Sequence, residues 1–278
     1  MGYLTKHKTW KQIFVYLVGL LVLLLTSLTI YVVSHYNCIS LNSGATLRVF
    51  KASNFNNKRS VIMILPGGGY SGIGRWNEGY LWVPFFHRLG YTVAVLEYRL
   101  PFHDYTIPMS DASEAIIALK KRTKVFDYDK NRIGLMGFSA GGHLASAMMV
   151  TDNDTIRPNF VLLFYPVVSM KKELTHMGSH NNLIGENASK QQECQLSNEL
   201  HVSFKNPPVF IAVSKNDSVV NPLNSIVLSK EIKHVGRPVS LHIYPEGGHG
   251  WGYKNSFTYR KQMISDMMNW LESIENNN

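Results

Sequence analysis

The chain has 278 residues, of which 45% are hydrophobic and 17% are charged. These values are typical of a folded protein with a sizeable core, and they exclude a disordered or collagen-like chain. The formal net charge is +9, but the basic residues form no stripe with interleaved aromatic residues, so we predict no nucleic-acid partner. Two cysteines, Cys38 and Cys194, are too few for a disulfide framework or a cysteine-rich zinc site. Whether they pair is left open.

The N-terminal region contains an uncharged apolar run from Ile13 to Ser34 that follows three lysines. A helix over this run is long enough to cross the ~30 Å core of a bilayer, and no small-residue cleavage site follows it. We therefore predict that residues 1–36 form a cytoplasmic tip and an uncleaved transmembrane signal anchor, with residues 37–278 on the extracytoplasmic side. A cleaved signal peptide, which would give a secreted or periplasmic protein, is the alternative. A buried core helix is a third interpretation.

From about Thr46 onward, apolar runs typical of strands alternate with amphipathic runs typical of helices. This alternation predicts an α/β domain over residues 37–278, with helices on both faces of a doubly wound, mostly parallel sheet. The predicted strands are Val61–Leu65, Tyr91–Leu96, Arg132–Met136, Phe160–Tyr165, Val209–Ser214 and Val239–Tyr244. The predicted helices are Asp111–Arg122, Ala140–Val150, Leu223–Val235 and Phe257–Ile274. The polar stretch Pro166–Pro208 is expected to be an irregular excursion over one edge of the sheet.

The segment Gly137-Phe138-Ser139-Ala140-Gly141 lies between a predicted strand and a predicted helix. This is the context of a nucleophile elbow, a tight turn that holds a serine Oγ exposed above a sheet. Glycines permit such a turn, and the start of the following helix directs backbone N–H groups toward the site. The pattern predicts Ser139 as a nucleophile, with a plain glycine-rich turn as the alternative.

A second glycine-rich segment, Leu65-Pro66-Gly67-Gly68-Gly69-Tyr70, also follows a predicted strand. Consecutive glycines leave backbone N–H groups free to face a ligand, as in the second half of an oxyanion hole. A phosphate-binding loop is the rival interpretation, but no Gly-Lys-Ser/Thr sequence follows.

A serine nucleophile needs a base that is itself oriented by a carboxylate. Asp217 follows the predicted strand Val209–Ser214, and His249 lies in a glycine-flanked loop after Val239–Tyr244. Both are therefore expected at the carboxyl ends of strands, where ligands bind in open α/β sheets. Each residue alone is also explained as an ordinary turn or loop residue, but together with Ser139 they predict a catalytic triad.

Four residues near these motifs are weaker candidates for substrate contacts: Tyr70, Trp76, Glu78 and Trp251. Core packing is the alternative for the aromatic residues, and the capped start of a helix is the alternative for Asn77 and Glu78. His143 and His242 have no carboxylate or cysteine at ligand spacing, so we predict packing roles for both. We predict no metal site and no cofactor.

A family resemblance rests on an ordered set of segments: PGGGY, EGY, LEYRLP, RIGLMGFSAGGHLAS, LIGEN, PPVFIAVSKNDSVV and YPEGGHGWG. From about Val61 to the C-terminus, this set resembles the acetyl-esterase and acetylxylan-esterase branch of the α/β-hydrolase superfamily. The resemblance implies a nucleophile, an orienting acid, a base and three oxyanion donors, which are Ser139, Asp217, His249 and the amides of Gly68, Gly69 and Ala140. Pro66 replaces the histidine that opens the HGGG motif of related lipase-like esterases, so their preference for lipid-like esters is not implied.

The sequence thus predicts a membrane-anchored serine esterase that hydrolyses acetyl esters on carbohydrates such as acetylated xylan through an acyl-enzyme. A small-molecule ester is also an expected substrate. A serine peptidase of the prolyl-oligopeptidase type shares the fold and the triad order. A non-catalytic binding module is the remaining alternative, and the complete set of three catalytic residue types argues against it.

Overall fold

The structure, a computed structural model, describes residues 10–23, 26, 36–53 and 55–276. The chain divides into two units, Met1–Tyr36 and Asn37–Asn278. In the first unit, residues 10–23 form helix α1. Among the described residues, no helix combines the length and the apolar character needed to cross a membrane. The predicted span from Ile13 to Ser34 includes residues 24, 25 and 27–35, which lie outside the described residues.

The second unit is built on an eight-stranded sheet in the order β1-β2-β4-β3-β5-β6-β7-β8. Its strands are β1 (Asn37–Ser40), β2 (Thr46–Phe50), β3 (Val61–Leu65), β4 (Thr92–Glu97), β5 (Ile133–Phe138), β6 (Phe160–Phe164), β7 (Val209–Ser214) and β8 (Val239–Tyr244). Strand β2 pairs antiparallel with β1 and β4, and every other neighbouring pair in this sheet is parallel. The predicted α/β domain with a mostly parallel sheet is confirmed.

The central strands are hydrophobic along their whole length because both faces of the sheet are covered. Every residue of β3, β5, β6 and β7 is buried, whereas most residues of the edge strand β8 are only partly buried. The predicted bounds of β3, β7 and β8 match those observed, and the bounds of β4, β5 and β6 differ by one or two residues. The hairpin of β1 and β2 was not predicted, because both strands are short and mix buried with exposed positions.

The helices of the second unit are α2 (Val83–Arg88), α3 (Thr106–Lys121), α4 (Thr123–Phe126), α5 (Ser139–Val150), α6 (Met177–Ile184), α7 (Lys190–Gln195), α8 (Leu223–His234) and α9 (Arg260–Asn276). The prediction of an irregular Pro166–Pro208 stretch is wrong, because α6, α7 and a 3₁₀ turn lie within it. These helices are too short to show a clear apolar period, and local caps define them instead. Ser189 and Gln192, for example, form a reciprocal capping box at the start of α7. Cys38 and Cys194 are both exposed and unpaired.

The parallel strands position the candidate site because their carboxyl ends meet at one edge of the sheet. The segments that directly follow β3, β5, β6, β7 and β8 carry Gly67 to Gly69, Ser139, Tyr165, Asp217 and His249, respectively. Residues that are far apart in the chain are thereby brought to a common edge.

Candidate active site

Ser139 occupies a strained turn between β5 and α5. Its backbone φ is +50°, in the left-handed region that costs energy for a residue with a side chain. The turn requires glycine on both sides, because a methyl group on Gly137 would lie 2.5 Å from the Gly141 carbonyl oxygen and one on Gly141 would lie 2.1 Å from the Leu65 carbonyl oxygen. The glycines of the sequence motif therefore allow the close packing that this turn needs.

The structure brings Ser139, His249 and Asp217 into one chain of hydrogen bonds. The Ser139 Oγ lies 2.9 Å from His249 Nε2, and His249 Nδ1 lies 2.7 Å from Asp217 Oδ2. Because a carboxylate accepts, Nδ1 carries the proton, and Nε2 is left as the acceptor for the serine hydroxyl. This arrangement can remove a proton from Ser139 and store it as an imidazolium beside Asp217.

Asp217 is held rigidly by its own loop. Its side chain is fully buried, and its Oδ1 accepts the backbone N–H groups of Val219 and Val220 at 2.9 and 3.0 Å. The other oxygen is therefore left to orient His249. The histidine loop is fixed on the same side, since Asn216 Oδ1 accepts the Gly248 N–H at 2.9 Å.

The glycine loop lies directly against the serine turn. A methyl group on Gly67 would lie 2.9 Å from the Ser139 Cβ. In the described part of the chain, no acceptor is found for the N–H groups of Gly68 and Gly69. The N–H of Ala140 is in the first turn of α5, where no intrahelical acceptor exists. The amides of the three predicted oxyanion donors are thus available to a ligand, and their role remains a prediction.

Glu78 is a buried link between two loops, and its predicted substrate contact stays a prediction. It is 8% exposed; its Oε2 accepts the Gly67 N–H at 3.0 Å, and its Oε1 accepts the Tyr165 hydroxyl at 2.7 Å. Burial raises the pKa of Glu78, and these hydrogen bonds oppose the rise. The Tyr165 hydroxyl also accepts the Gly252 N–H at 2.9 Å. Glu78 and Tyr165 therefore connect the glycine loop to the histidine loop.

Asn77, which follows the glycine loop in the chain, also bonds to the histidine loop. Its side chain donates to the Gly250 carbonyl at 3.1 Å and accepts the Tyr253 N–H at 3.2 Å. It does not cap a helix, since the nearest helical turn begins at Tyr80. The alternative that a helix begins at Asn77 is therefore wrong.

Comparison with known proteins assigns the family. The BD-FAE family model matches residues 47–232. The chain belongs to the BD-FAE family. An acetylxylan esterase from Xylanibacter ruminicola is 38% identical over 218 residues, which are 77% of this chain and 45% of that protein. Endo-1,4-beta-xylanase B from Butyrivibrio fibrisolvens is 30% identical over 210 residues, which are 69% of this chain and 32% of that protein.

This BD-FAE chain spans less than half the length of those two relatives. Among solved structures, an acetyl ester-xyloside bifunctional hydrolase from Caldicellulosiruptor lactoaceticus is 33% identical, with a TM-score of 0.78 over 83% of this chain and 88% of that one. An alpha/beta hydrolase enzyme from a deep-sea metagenome library is 22% identical, with a TM-score of 0.69 over 87% and 98% of the two chains. The resemblance to the acetylxylan-esterase branch and the α/β-hydrolase fold are both confirmed.

Two of the aromatic residues predicted to contact substrate in this BD-FAE protein are buried instead. Tyr70 is 2% exposed and Trp251 is 3% exposed. The Tyr70 hydroxyl donates to His143, and the Trp251 ring stacks on Phe257 with centroids 4.3 Å apart. Neither ring offers a face to a ligand. Large apolar rings contribute most when they are buried, which is why packing prevails at both positions.

Trp76 is the predicted aromatic contact that does reach the surface. It is 61% exposed and packs edge-on against Tyr80, with centroids 5.4 Å apart. It lines a cavity of about 490 Å³ together with Ile73, Gly74, Arg75 and Asn77. Since the neighbouring Asn77 bonds to the histidine loop, this cavity lies close to that loop.

The two histidines with predicted packing roles are indeed held within the fold. His143 is fully buried, accepts from the Tyr70 hydroxyl through Nδ1 at 2.9 Å and donates from Nε2 to the Leu196 carbonyl at 2.8 Å. Burial lowers its pKa to about 4. His242 stacks on Phe210, and its Nδ1 lies 3.3 Å from Asp266. No cluster of three metal-binding side chains is found in the described residues.

His176 and Tyr165 lie close to the proposed catalytic residues and were not predicted from the sequence. His176 precedes α6 in the Pro166–Pro208 stretch, and it is close enough to His249 and Asp217 for their charges to affect its pKa. The Tyr165 ring contacts the His249 ring edge-on, with centroids 4.7 Å apart. Tyr165 was assigned to the end of a strand, and no local pattern distinguishes it from other buried aromatic residues. His176 lies in a segment without periodicity, where an isolated histidine carries no signal.

Proposed function

We propose that this protein is a serine esterase that removes acetyl groups from carbohydrate esters. The proposal is carried by the hydrogen-bonded chain from Ser139 through His249 to Asp217, with distances of 2.9 and 2.7 Å, at the carboxyl edge of the sheet. A nucleophile, a base and an orienting carboxylate in this order are what acyl transfer requires. The similarity to an acetylxylan esterase and to an acetyl ester-xyloside bifunctional hydrolase supports acetylated xylan as the substrate class.

In the first half of the proposed reaction, Ser139 Oγ forms a bond to the carbonyl carbon while His249 Nε2 takes its proton. The carbonyl oxygen becomes an oxyanion, and the N–H groups of Gly68, Gly69 and Ala140 stabilise it. When the tetrahedral intermediate collapses, the bond to the alcohol oxygen breaks and that oxygen receives the proton from His249. The alcohol leaves, and the acyl group remains on Ser139.

In the second half, water replaces the alcohol. His249 takes a proton from the water as its oxygen attacks the acyl carbon, and a second oxyanion forms at the same amides. Collapse returns the proton to Ser139 and releases the carboxylic acid. Asp217 stabilises the imidazolium in both halves without taking the proton itself.

The alcohol side of the substrate is proposed to be a sugar. Trp76 offers an exposed flat face beside the histidine loop, and aromatic faces of this kind bind the apolar faces of sugar rings. The segment that bonds to the glycine loop is the short helix α6, which has the sequence MGSHNNLI and whose Leu183 and Ile184 are buried. It lacks the broad apolar stripe that a lipase lid needs to meet a lipid surface.

The substrate proposal is tested by comparing two series of esters. We expect kcat/KM to fall from p-nitrophenyl acetate to butyrate to octanoate, and we expect turnover of acetylated xylan fragments. Ser139→Ala protein serves as the control for contaminating esterase, and a peptide amide series tests the peptidase alternative. A lipase-like site would instead gain from each buried CH₂, by about 0.8 kcal/mol. Rising efficiency with chain length, or indifference to every acetylated sugar, would overturn the carbohydrate assignment.

We also propose that residues 1–36 anchor the catalytic unit in a membrane, with residues 37–278 on the extracytoplasmic side. The basis is the uncharged run that follows three lysines in the sequence. Full-length protein should then resist extraction by salt and alkaline carbonate and should require detergent. An N-terminus found near Cys38 in the mature protein would show cleavage instead.

A further inference from the structure

His176 is the residue that caps α6. Its Nδ1 accepts the Ser179 N–H at 3.2 Å and lies 2.9 Å from the Ser179 hydroxyl. A backbone N–H can only donate, so Nδ1 is the unprotonated nitrogen and the proton of the neutral ring is on Nε2. Serine, threonine, asparagine and aspartate are the usual capping residues. The imidazole ring is larger than their side chains, and its second nitrogen, Nε2, takes no part in the cap.

The histidine is fastened next to the glycine loop. Asn182 on α6 donates to the Gly69 carbonyl at 2.8 Å, which fixes α6 on that loop. A methyl group on Gly69 would lie 3.9 Å from the His176 Cε1, and one on Gly178 would lie 3.0 Å from the same atom. Since Cε1 is bonded to Nε2, the free donor lies within a few ångströms of a predicted oxyanion amide.

The ring has an unused donor in a charged environment. Within the described ranges, Nε2 of His176 has no hydrogen-bond partner, whereas both ring nitrogens of His143, His180 and His249 have one. Partial burial and the nearby His249 lower the pKa of His176, and Asp217 opposes that effect. The ring is therefore neutral near pH 7. Its N–H can donate a hydrogen bond without placing a positive charge beside the oxyanion amides.

We propose that the Nε2–H of His176 donates a hydrogen bond to the hydroxyl next to the ester on the alcohol side of the substrate, and so selects polyhydroxylated alcohols such as sugars. This inference rests on the proposed esterase function and names a specificity-determining residue for it. The carbonyl oxygen sits on the amides, and the alcohol oxygen must face His249 to receive its proton. A donor beside Gly69 is therefore placed to reach the groups that flank the ester oxygen.

The test uses two esters and two variants. The substrates are a methyl xyloside acetylated at O2 and p-nitrophenyl acetate, which has no hydroxyl next to its ester. His176→Asn keeps a side-chain acceptor for the Ser179 N–H but removes the Nε2 donor. We expect it to lower kcat/KM more for the sugar ester than for the aryl ester, changing their ratio roughly tenfold, as the loss of one hydrogen bond predicts. His201→Asn is the matched control, because His201 is exposed and bonds to the Cys194 carbonyl.

A substrate change tests the same contact without any variant. The 3-deoxy analogue of the acetylated xyloside lacks the neighbouring hydroxyl. Unmodified protein should therefore have a kcat/KM roughly tenfold lower for this analogue than for the parent xyloside. His176→Asn protein should show little difference between the two substrates, because it has already lost the donor. If His176→Asn lowers kcat/KM equally for both esters, their ratio is unchanged and the histidine only supports the glycine loop. That result would overturn the inference. If the unmodified protein hydrolyses neither ester, the proposed function itself fails.

Discussion

The Tyr165 hydroxyl donates to Glu78 Oε1 at 2.7 Å, and both side chains are buried. The same hydroxyl accepts the Gly252 N–H, and the other Glu78 oxygen accepts the Gly67 N–H. This pair of side chains thus links the glycine loop to the loop that carries His249. Burial raises the pKa of both groups.

Tyr165→Phe should slow the reaction while leaving the fold in place. The variant keeps the ring against His249 but removes the donor to Glu78 and the acceptor of Gly252. Small displacements of catalytic groups cost up to about 100-fold, so we expect kcat to fall roughly 10- to 100-fold with a smaller change in KM. The free energy of unfolding should fall by about 1–3 kcal/mol, because buried polar groups lose their partner.

Tyr128→Phe is the matched control for that variant. The buried Tyr128 hydroxyl donates to the Leu119 carbonyl at 2.9 Å, far from the loops of the site. We expect a similar loss of stability in chemical denaturation and no loss of kcat. Tyr165→Phe and Glu78→Gln should also combine non-additively, since they interrupt the same link. Equal effects of Tyr165→Phe and Tyr128→Phe on kcat would contradict a positioning role.

Ser139→Ala should abolish ester hydrolysis, with kcat/KM lower by on the order of 10⁴ or more. Alanine tolerates the left-handed turn no worse than serine does, so thermal unfolding should change little. Ser146→Ala is the matched control. Ser146 lies on the same helix and its hydroxyl donates to the His143 carbonyl, so this variant should remain active. More than a tenth of the original activity in a folded Ser139→Ala protein would exclude this serine as the nucleophile.

Asp217→Asn should lower kcat on the order of 10³- to 10⁴-fold, because an amide can donate to His249 Nδ1 and so favours the wrong tautomer. The chain contains a second aspartate–histidine pair for comparison. Asp266 lies 3.3 Å from His242 and accepts the Tyr244 hydroxyl at 2.9 Å. Asp266→Asn should leave kcat unchanged in the same p-nitrophenyl acetate assay. A silent Asp217→Asn would assign the acid to another carboxylate.

His143 should make the fold sensitive to acid. Its pKa is lowered by burial to about 4 in the folded protein, against about 6.5 in an unfolded chain. Between these values the unfolded chain binds a proton that the folded protein excludes, so the free energy of unfolding falls as the pH falls. The loss should be about 3 kcal/mol from pH 7 to pH 4.

Denaturation at a series of pH values checks the histidine contribution against His143→Gln, which does not titrate. The variant should be less stable at pH 7, since Tyr70 and Leu196 lose their partners, but its stability should fall less between pH 6.5 and 4. Parallel pH profiles for the two proteins would show that another group causes the acid sensitivity.

Strands β3 to β8 and the three proposed catalytic residues could be predicted from the sequence because their signals are local. A run such as VIMIL in β3 indicates that both faces of the strand are buried. The glycines around Ser139 indicate that a tight turn follows β5. Parallel strands then bring Asp217 and His249 to the same edge, whatever the details of packing. Their catalytic roles remain predictions until the variants are made.

Only the tertiary structure decided which of the neighbouring side chains face a ligand and which support the loops. Glu78 and Tyr165 are separated by 87 positions, and nothing near either residue indicates that the other will satisfy it. Tyr70 and Trp251 follow glycine motifs just as Trp76 does, yet the first two are buried and the third is exposed. The sequence pattern determines where a loop leaves the sheet, whereas the direction of each side chain in that loop depends on partners that arrive from distant parts of the chain.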